Sequence, residues 1–238
     1  MIELVVFKTS KKYSAPNFSP FCVKLQCAFK AMGIPFKEIP FAGNPKKMPK
    51  GKLPIIRDHG YEFCDSELIL KYMKEKYNKD LDSHLSAIDM AHCNAYKKMV
   101  EDHMGMGLLY FRWQVEENWS NVAPIFFAQI PAPLRKIMAG LSRRSVVSTL
   151  YANGMGRHSH DEVLDFLEDD FKALSTLLGD KKYFFGDQIS SLDATVFGFI
   201  TNCLQVSMTP ELFKLASKYQ NLVAFEKRIK KLLFQAQK

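Results

Sequence analysis

The stretch SPFCVKLQCAFKAMG, residues 19–33, decides the fold. Ser19 suits a helix N-cap and Pro20 the first helical position, where its missing N–H costs nothing. Phe21, Leu25, Ala28, Phe29 and Met32 recur at helical spacing, and Gly33 supplies a stop. Before it, Glu3-Leu-Val-Val-Phe7 is a short apolar run that reads as a buried strand, joined to the helix by a polar loop over Lys8 to Phe18. After it, Ile34 to Ile39 can form a second strand. A strand–helix–strand unit of this length implies a parallel pair.

Further along, GNPKKMPKGK at residues 43–52 is a loop, and Leu53–Arg57 and Tyr61–Cys64 flank Asp58-His59-Gly60 as a hairpin. Ser66 to Tyr77 reads as a helix with Ile69, Tyr72 and Met73 on one face. The hairpin adds an antiparallel edge, so a small mixed sheet with helices on its faces is expected over residues 1–78. Strand signals stop near residues 78–83, and residues 84–238 read as an all-helical domain. Leu85 to Trp119 is one long stretch without proline; Ser159–Glu162 and Ser190–Asp193 are capping boxes. The second box opens Leu192 to Leu204, apolar nearly all round and therefore buried, which predicts the centre of the second domain. Asn221 to Phe234 is a basic amphipathic helix.

Composition bounds the function classes. The 238 residues are 47% hydrophobic, which is globular and excludes disorder or low complexity for most of the chain. Lys and Arg outnumber Asp and Glu by 33 to 25, so the formal charge of +8 suits an anionic partner without choosing one. Five cysteines at irregular spacing form no disulfide framework and point to a reducing compartment. The N-terminus lacks a signal peptide's long apolar region. Val122 to Leu141 looks apolar but holds three prolines, Arg135 and Lys136, which excludes a membrane span. A soluble, cytoplasmic protein is expected.

This layout resembles the glutathione S-transferase superfamily, in which a thioredoxin-like N-terminal domain precedes an all-α domain. The resemblance rests on Ser19-Pro-Phe-Cys22, Leu53-Pro54, Asp65-Ser66 and Ser190-x-x-Asp193, in that order at matching separations. Gly154-Met-Gly-Arg-His-Ser159 and Tyr183-Phe-Phe-Gly-Asp187 are similar to the metaxin-like, or failed-axon-connections-type, branch. The resemblance implies an α/β plus all-α fold, glutathione as co-substrate, a small hydrophobic electrophile as second substrate, and a homodimer.

It also implies a site. Ser19 is expected either to donate a hydrogen bond to the glutathione sulfur, favouring the nucleophilic thiolate, or simply to cap its helix. Cys22, in the first helical turn, is the second catalytic candidate, through a mixed disulfide with glutathione; the alternative is a small apolar core residue. Tyr13 ranks below Ser19 as a hydroxyl donor. Pro54 resembles the superfamily's cis-proline, which turns the backbone of Leu53 toward the cysteinyl unit. Asp65 and Ser66 match the pair that holds the γ-glutamyl end, Ser66 and its N–H suiting the carboxylate. Lys52 is the candidate for the glycyl carboxylate, and Lys46, Lys47 and Lys50 add general attraction.

Other readings weigh less. Asp193 is structural through its capping box. Arg157-His-Ser-His160 lacks a metal-ligand spacing, and no metal is expected. Tyr110, Phe111, Trp113 and Trp119 border the second-substrate region by resemblance, or are core aromatics. A noncatalytic interaction module of the same fold remains the alternative to an enzyme. A membrane-docking form would need an anchor, and the C-terminal helix is basic rather than apolar. Without zinc spacing, RNA-binding aromatics or a recognition helix, no nucleic-acid partner is expected.

Overall fold

The computed structural model describes residues 1–9 and 13–235; residues 10–12 of the loop between Lys8 and Phe18 lie outside the described residues. The four-stranded sheet runs β2-β1-β3-β4. β1 (Ile2–Phe7) pairs parallel with β2 (Phe36–Phe41), Ile2 opposite Phe36 and Phe7 opposite Phe41. On its other side β1 pairs antiparallel with β3 (Ile55–Asp58), which returns through β4 (Tyr61–Cys64). Central β1 is buried on both faces from Leu4 to Val6, hence the apolar run from Leu4 to Phe7. β2 is an edge, where Pro40 costs no ladder bond. His59 and Gly60 both have positive φ, the requirement of a two-residue type I′ hairpin turn.

Helix α1 (Pro20–Ala31) has Ser19 as its N-cap. Its end corrects the expected start of β2. The Gly33 N–H donates to Lys30 O and the Ile34 N–H to Phe29 O, both within 3.1 Å, which is a Schellman motif. Ile34 is thereby committed to the helix end, and the strand begins at Phe36 rather than Ile34. Helix α2 (Ser66–Tyr77) follows β4, with Asp65 as N-cap. One face of α1 and α2 joins Leu4, Val5, Val6, Ile55 and Ile56 in a core containing Leu25, Phe29, Ile69 and Met73.

Beyond residue 80 the described residues are almost wholly helical. The stretch expected as one long helix is broken. α3 (Ala87–Lys98) continues through a π-helical turn over Met99–Met104 into α4 (Gly105–Trp113), and α5 (Glu116–Phe126) starts anew after Gln114 and Val115. Val115 is extended, so Trp119 lies on a different helix from Trp113 although their ring centroids are 5.1 Å apart. α6 (Ala132–Asn153), α7 (His160–Leu178), α8 (Ser191–Cys203), α9 (Pro210–Ser217) and α10 (Gln220–Leu233) complete the chain. Both capping boxes form. Ser159 and Glu162 exchange bonds at the start of α7, and the Ser190 N–H and O–H both donate to Asp193 Oδ2 (2.8 and 2.6 Å).

Internal contacts divide the chain into two compact units, a different criterion from the change of strand to helix signals. The first is Met1–Lys97, Asp180–Asn202 and Ala224–Lys238; the second is Lys98–Gly179 and Cys203–Val223. Helix α8 is fully buried, as its nearly all-apolar pattern requires, but it belongs almost entirely to the sheet-containing unit. Its Phe199 ring meets Phe21 edge-on at 5.5 Å, and a Cβ at Gly198 would run into the carbonyl oxygen of Pro20. Periodicity identifies a buried helix but not what buries it. In the second unit, α6 and α7 both pack on α4, and α9 packs on α7.

Candidate functional site

The loop after β1 and the start of α1 are held by side-chain amides. Asn17 Nδ2 donates to Phe7 O (2.8 Å), and Asn17 Oδ1 accepts from the Ser19 N–H (3.0 Å). Ser19 Oγ accepts from the Cys22 N–H at 3.4 Å, the cap that its sequence predicts. Capping uses an oxygen lone pair, so a donor role for the hydroxyl hydrogen is compatible with it. Ser19 is half-buried, within reach of solvent.

Two other groups considered for thiol chemistry are spent elsewhere. Tyr13 is buried, and its hydroxyl donates to Asn202 Oδ1 at 2.8 Å. Asn202 Nδ2 in turn donates to Asn17 O and Gly198 O, so Tyr13 ties its loop to α8. Cys22 is wholly buried in the sheet core. Burial pushes its thiol up to about 12, against the opposing hydrogen bonds from Ser19 and Phe7. It is thus a protonated packing group and lacks the accessible thiolate that a mixed disulfide requires.

The second half of the candidate site lies between β3 and α2. The Leu53–Pro54 peptide bond is cis. Leu53 anchors its side chain in the sheet core, which fixes the backbone just ahead of β3. Lys52, exposed, holds its Nζ 3.4 Å from Asp65 Oδ2. The other Asp65 oxygen accepts from the Glu67 N–H at 3.1 Å, and Asp65 adopts a φ of 84°, outside the usual range for a non-glycine residue. Ser66, the first helical residue of α2, is buried, and its Oγ accepts from Lys24 Nζ at 3.4 Å. Lys52, Leu53, Pro54, Asp65 and Ser66 therefore form one neighbourhood at the head of α2.

A charged cluster that the sequence reading did not identify lies beneath this neighbourhood. Lys24 is 0% exposed and pairs with Glu67 Oε1, while Lys97 Nζ, also buried, lies 3.1 Å from Glu67 Oε2. Burial alone would raise the Glu67 carboxyl, but the charges of Lys24 and Lys97 outweigh it and hold the group at about 2. Burial would lower Lys97, yet the Glu67 charge turns its shift upward. A signal was available. Lys24 stands three residues after Phe21 and four before Ala28, on the apolar face of α1, where a lysine requires a buried partner.

Chemically, the head of α2 offers a buried hydroxyl, a helix N-terminus and two ammonium groups, the donors that a carboxylate needs. The remaining candidates are structural. Asp193 accepts from the N–H groups of Phe184 (3.0 Å) and Ser190, tying the loop before α8 to the helix start. Tyr110, Phe111 and Trp113 are buried, and Trp113 clusters with Trp119, Phe126 and Phe127.

The family model for the glutathione S-transferase N-terminal domain matches residues 20–119, and that for the C-terminal domain matches residues 167–229. The chain is 30% identical to isoprene-epoxide–glutathione S-transferase of Rhodococcus sp. (strain AD45), over 96% of this chain and 98% of the relative. It is 28% identical to Failed axon connections of Drosophila melanogaster, over 97% of this chain but 58% of that protein. Metaxin-2 of Homo sapiens is 29% identical, over 89% of this chain and 81% of the relative. Among solved structures, glutathione transferase GSTFuA3 from Phanerochaete chrysosporium superposes with a TM-score of 0.69 at 15% identity, covering 98% of both chains.

Proposed function

The chain belongs to the glutathione S-transferase superfamily, and from that premise we propose that it binds glutathione and conjugates its thiolate to a small electrophile. In this reading the tripeptide lies extended across the backbone of Leu53 and Pro54. Its γ-glutamyl carboxylate meets Ser66 and the N-terminus of α2, its α-amino group meets Asp65, and its glycyl carboxylate meets Lys52. The Ser19 hydroxyl donates to the sulfur, lowering the thiol pKa from the free value of about 8.5 so that more thiolate is present at neutral pH. The thiolate attacks the electrophile, forming a carbon–sulfur bond. In a substitution the bond from that carbon to the leaving group breaks and the group departs as an anion; in a strained ring the carbon–oxygen bond breaks and its oxygen, left as an alkoxide, takes up a proton from solvent. No metal enters this sequence.

The observation that carries the reading is the head of α2, where buried Ser66 meets Lys24 within one turn of the Asp65–Lys52 pair. The relative named for an isoprene epoxide, matched along nearly its whole length, makes a small epoxide the first electrophile to try. The reading includes a homodimer in a reducing, cytoplasmic setting. The alternative is a noncatalytic interaction module. It is favoured by the metaxin and Failed axon connections relatives and by the inert Cys22 and engaged Tyr13, which leave Ser19 as the single group proposed for the chemistry.

Calorimetric titration of glutathione into the wild type, Ser66→Ala and Ser19→Ala separates the two. Binding that Ser66→Ala weakens and Ser19→Ala spares supports the transferase reading, and conjugation of small epoxides should follow. Absence of binding at millimolar glutathione contradicts it, since a ligand of the native state at that concentration must register.

A further inference from the structure

A cavity of about 440 Å³ opens in the sheet-containing unit, at the far ends of α1 and α2 from Ser19 and Asp65. Each helix has 12 residues, so roughly 18 Å of helix separates this cavity from the two helix heads. Ala31 and Met32 enter its wall from the end of α1, and Asn78, Lys79 and Asp80 from the end of α2. Residues of the segments 81–84 and 182–189 supply the rest. The wall is held on each side. α2 closes in a Schellman motif like that of α1: the Asn78 N–H donates to Lys74 O and the Lys79 N–H to Met73 O, with Asn78 at a φ of 52°. Asp82 accepts from the Ser191 N–H and hydroxyl (2.7 and 2.6 Å), which ties the segment after α2 to the start of α8. Tyr183 and Gly186 exchange both backbone bonds, and Arg228 Nη1 donates to Lys182 O at 2.6 Å.

Several polar groups of this wall are unspent. Tyr183 is 3% exposed, yet its hydroxyl has no hydrogen-bond partner among the described residues. A buried hydroxyl left unpaired is costly, and most such groups have a partner. Lys182 Nζ lies 5.3 Å from the centroid of the Tyr183 ring. Among the described residues neither Lys182 nor Lys79 has a carboxylate at ion-pair distance, and Asp187 has no basic partner. Asp80 is different, because Lys74 takes one of its oxygens (2.7 Å) and the Asp82 N–H the other (2.9 Å). The wall therefore carries unpaired charges of both signs around a buried neutral hydroxyl.

That combination selects a ligand. A simple anion would meet Asp187 and the carbonyl ends of two helices, and a simple cation would meet Lys79 and Lys182. A zwitterion answers both. The Tyr183 hydroxyl calls for a neutral polar group between the charged ends, which a peptide bond supplies through its N–H and C=O. Met32, Leu81 and Ile189 add apolar surface for an aliphatic side chain. We propose that this cavity is a second binding site, taking a short zwitterionic peptide. Lys79 and Lys182 answer its carboxylate, Asp187 and the ends of α1 and α2 its ammonium, and the Tyr183 hydroxyl its peptide bond. The volume lies within the ~300–1,000 Å³ of small-molecule sites, which suits a peptide of about two or three residues. This site goes beyond the transferase reading and does not depend on it.

The test is calorimetric titration of the full-length protein with the dipeptide alanyl-leucine, with its N-acetyl derivative, which lacks the ammonium, and with its C-terminal amide, which lacks the carboxylate. Alanyl-leucine replaces glutathione as the probe so that the outcome is independent of the head of α2. The variants are Tyr183→Phe, Lys79→Gln with Lys182→Gln, and Asp187→Asn. The expected result is binding of alanyl-leucine, about fivefold weaker for each blocked derivative, about fivefold weaker in Tyr183→Phe and in the double lysine variant, and about threefold weaker in Asp187→Asn. Tyr183→Phe should keep the wild-type melting temperature or raise it, since the lost hydroxyl has no partner among the described residues. Absence of wild-type binding at millimolar alanyl-leucine overturns the proposal. A blocked derivative that binds as tightly as the parent assigns the cavity to a simple ion and equally overturns it. So does binding that none of the three variants weakens, or that Ser66→Ala weakens as much as Tyr183→Phe, which places the peptide at the head of α2.

Discussion

The heads of α1 and α2 are built differently. At α1 the cap is a neutral serine, the first turn carries no acidic residue, and the nearby thiol is buried and protonated. At α2 the cap is an aspartate, the first turn carries Glu67, and three lysines from elsewhere in the chain converge on these groups: Lys24, Lys52 and Lys97. A neutral helix head with one reachable hydroxyl can adjust a proton on something brought to it. A charged, partly buried head can grip a zwitterionic ligand but has no group suited to activating a thiol. In the proposed function, affinity therefore resides at α2 and reactivity at α1, and mutations should separate the two.

The largest expected effect comes from the charged side. Glu67→Ala removes the acceptor shared by Lys24 and Lys97. Breaking a buried ion pair costs ~3–5 kcal/mol, and Glu67, being a third exposed, should fall at about 3. Chemical denaturation should register this, with loss of glutathione binding in the surviving folded fraction. The same group gives an acid signature. Its carboxyl is held at about 2, below the ordinary range, so its contribution is present above about pH 4 and is lost as pH falls toward 2. Glu67→Gln should flatten the decline of melting temperature across that window. Part of the slope should remain, because Asp58, held at about 2 by Tyr77, Tyr72 and Lys76 against its burial, titrates there too.

Next in size is a change that reaches α1 through packing. Gly198→Ala forces α8 away from Pro20 and the Lys24 backbone N–H, an overpacking cost of about 1–3 kcal/mol. Activity should fall in parallel with displacement of the Ser19 end, while Ser66-dependent affinity changes less. Ser66→Ala should weaken glutathione about tenfold by calorimetry, equivalent to the loss of one hydrogen bond to a charged group, with little change in melting temperature. Ser19→Ala should cost about 1 kcal/mol of stability for a lost cap and leave affinity near wild type while abolishing most turnover. If Ser19→Ala weakened binding as much as Ser66→Ala, the division between the two helix heads would fail.

Much of this organisation is legible in the sequence because it is local. Ser19-Pro20, Ser159–Glu162, Ser190–Asp193 and His59-Gly60 each state a cap or turn within four residues, and each forms. What escapes is set by partners far along the chain. Lys24 is legible as a misplaced charge, but Glu67 and Lys97 are 43 and 73 positions away. α8 announces its burial and not its neighbours. Ile34 reads as strand, yet the Schellman motif of α1 claims it. The break at Val115 has no proline or glycine to mark it. Cys22 looks reactive by its position in the first turn, and only the packing of the sheet core shows its thiol to be enclosed.

The most direct test of the division is a pH titration of the glutathione thiol on the protein, followed by thiolate absorbance in the wild type and Ser19→Ala. The account predicts that the bound thiol of the wild type ionises well below the free value of about 8.5, and that Ser19→Ala binds glutathione but returns the thiol close to that value. A wild-type complex whose thiol titrates like free glutathione would contradict it.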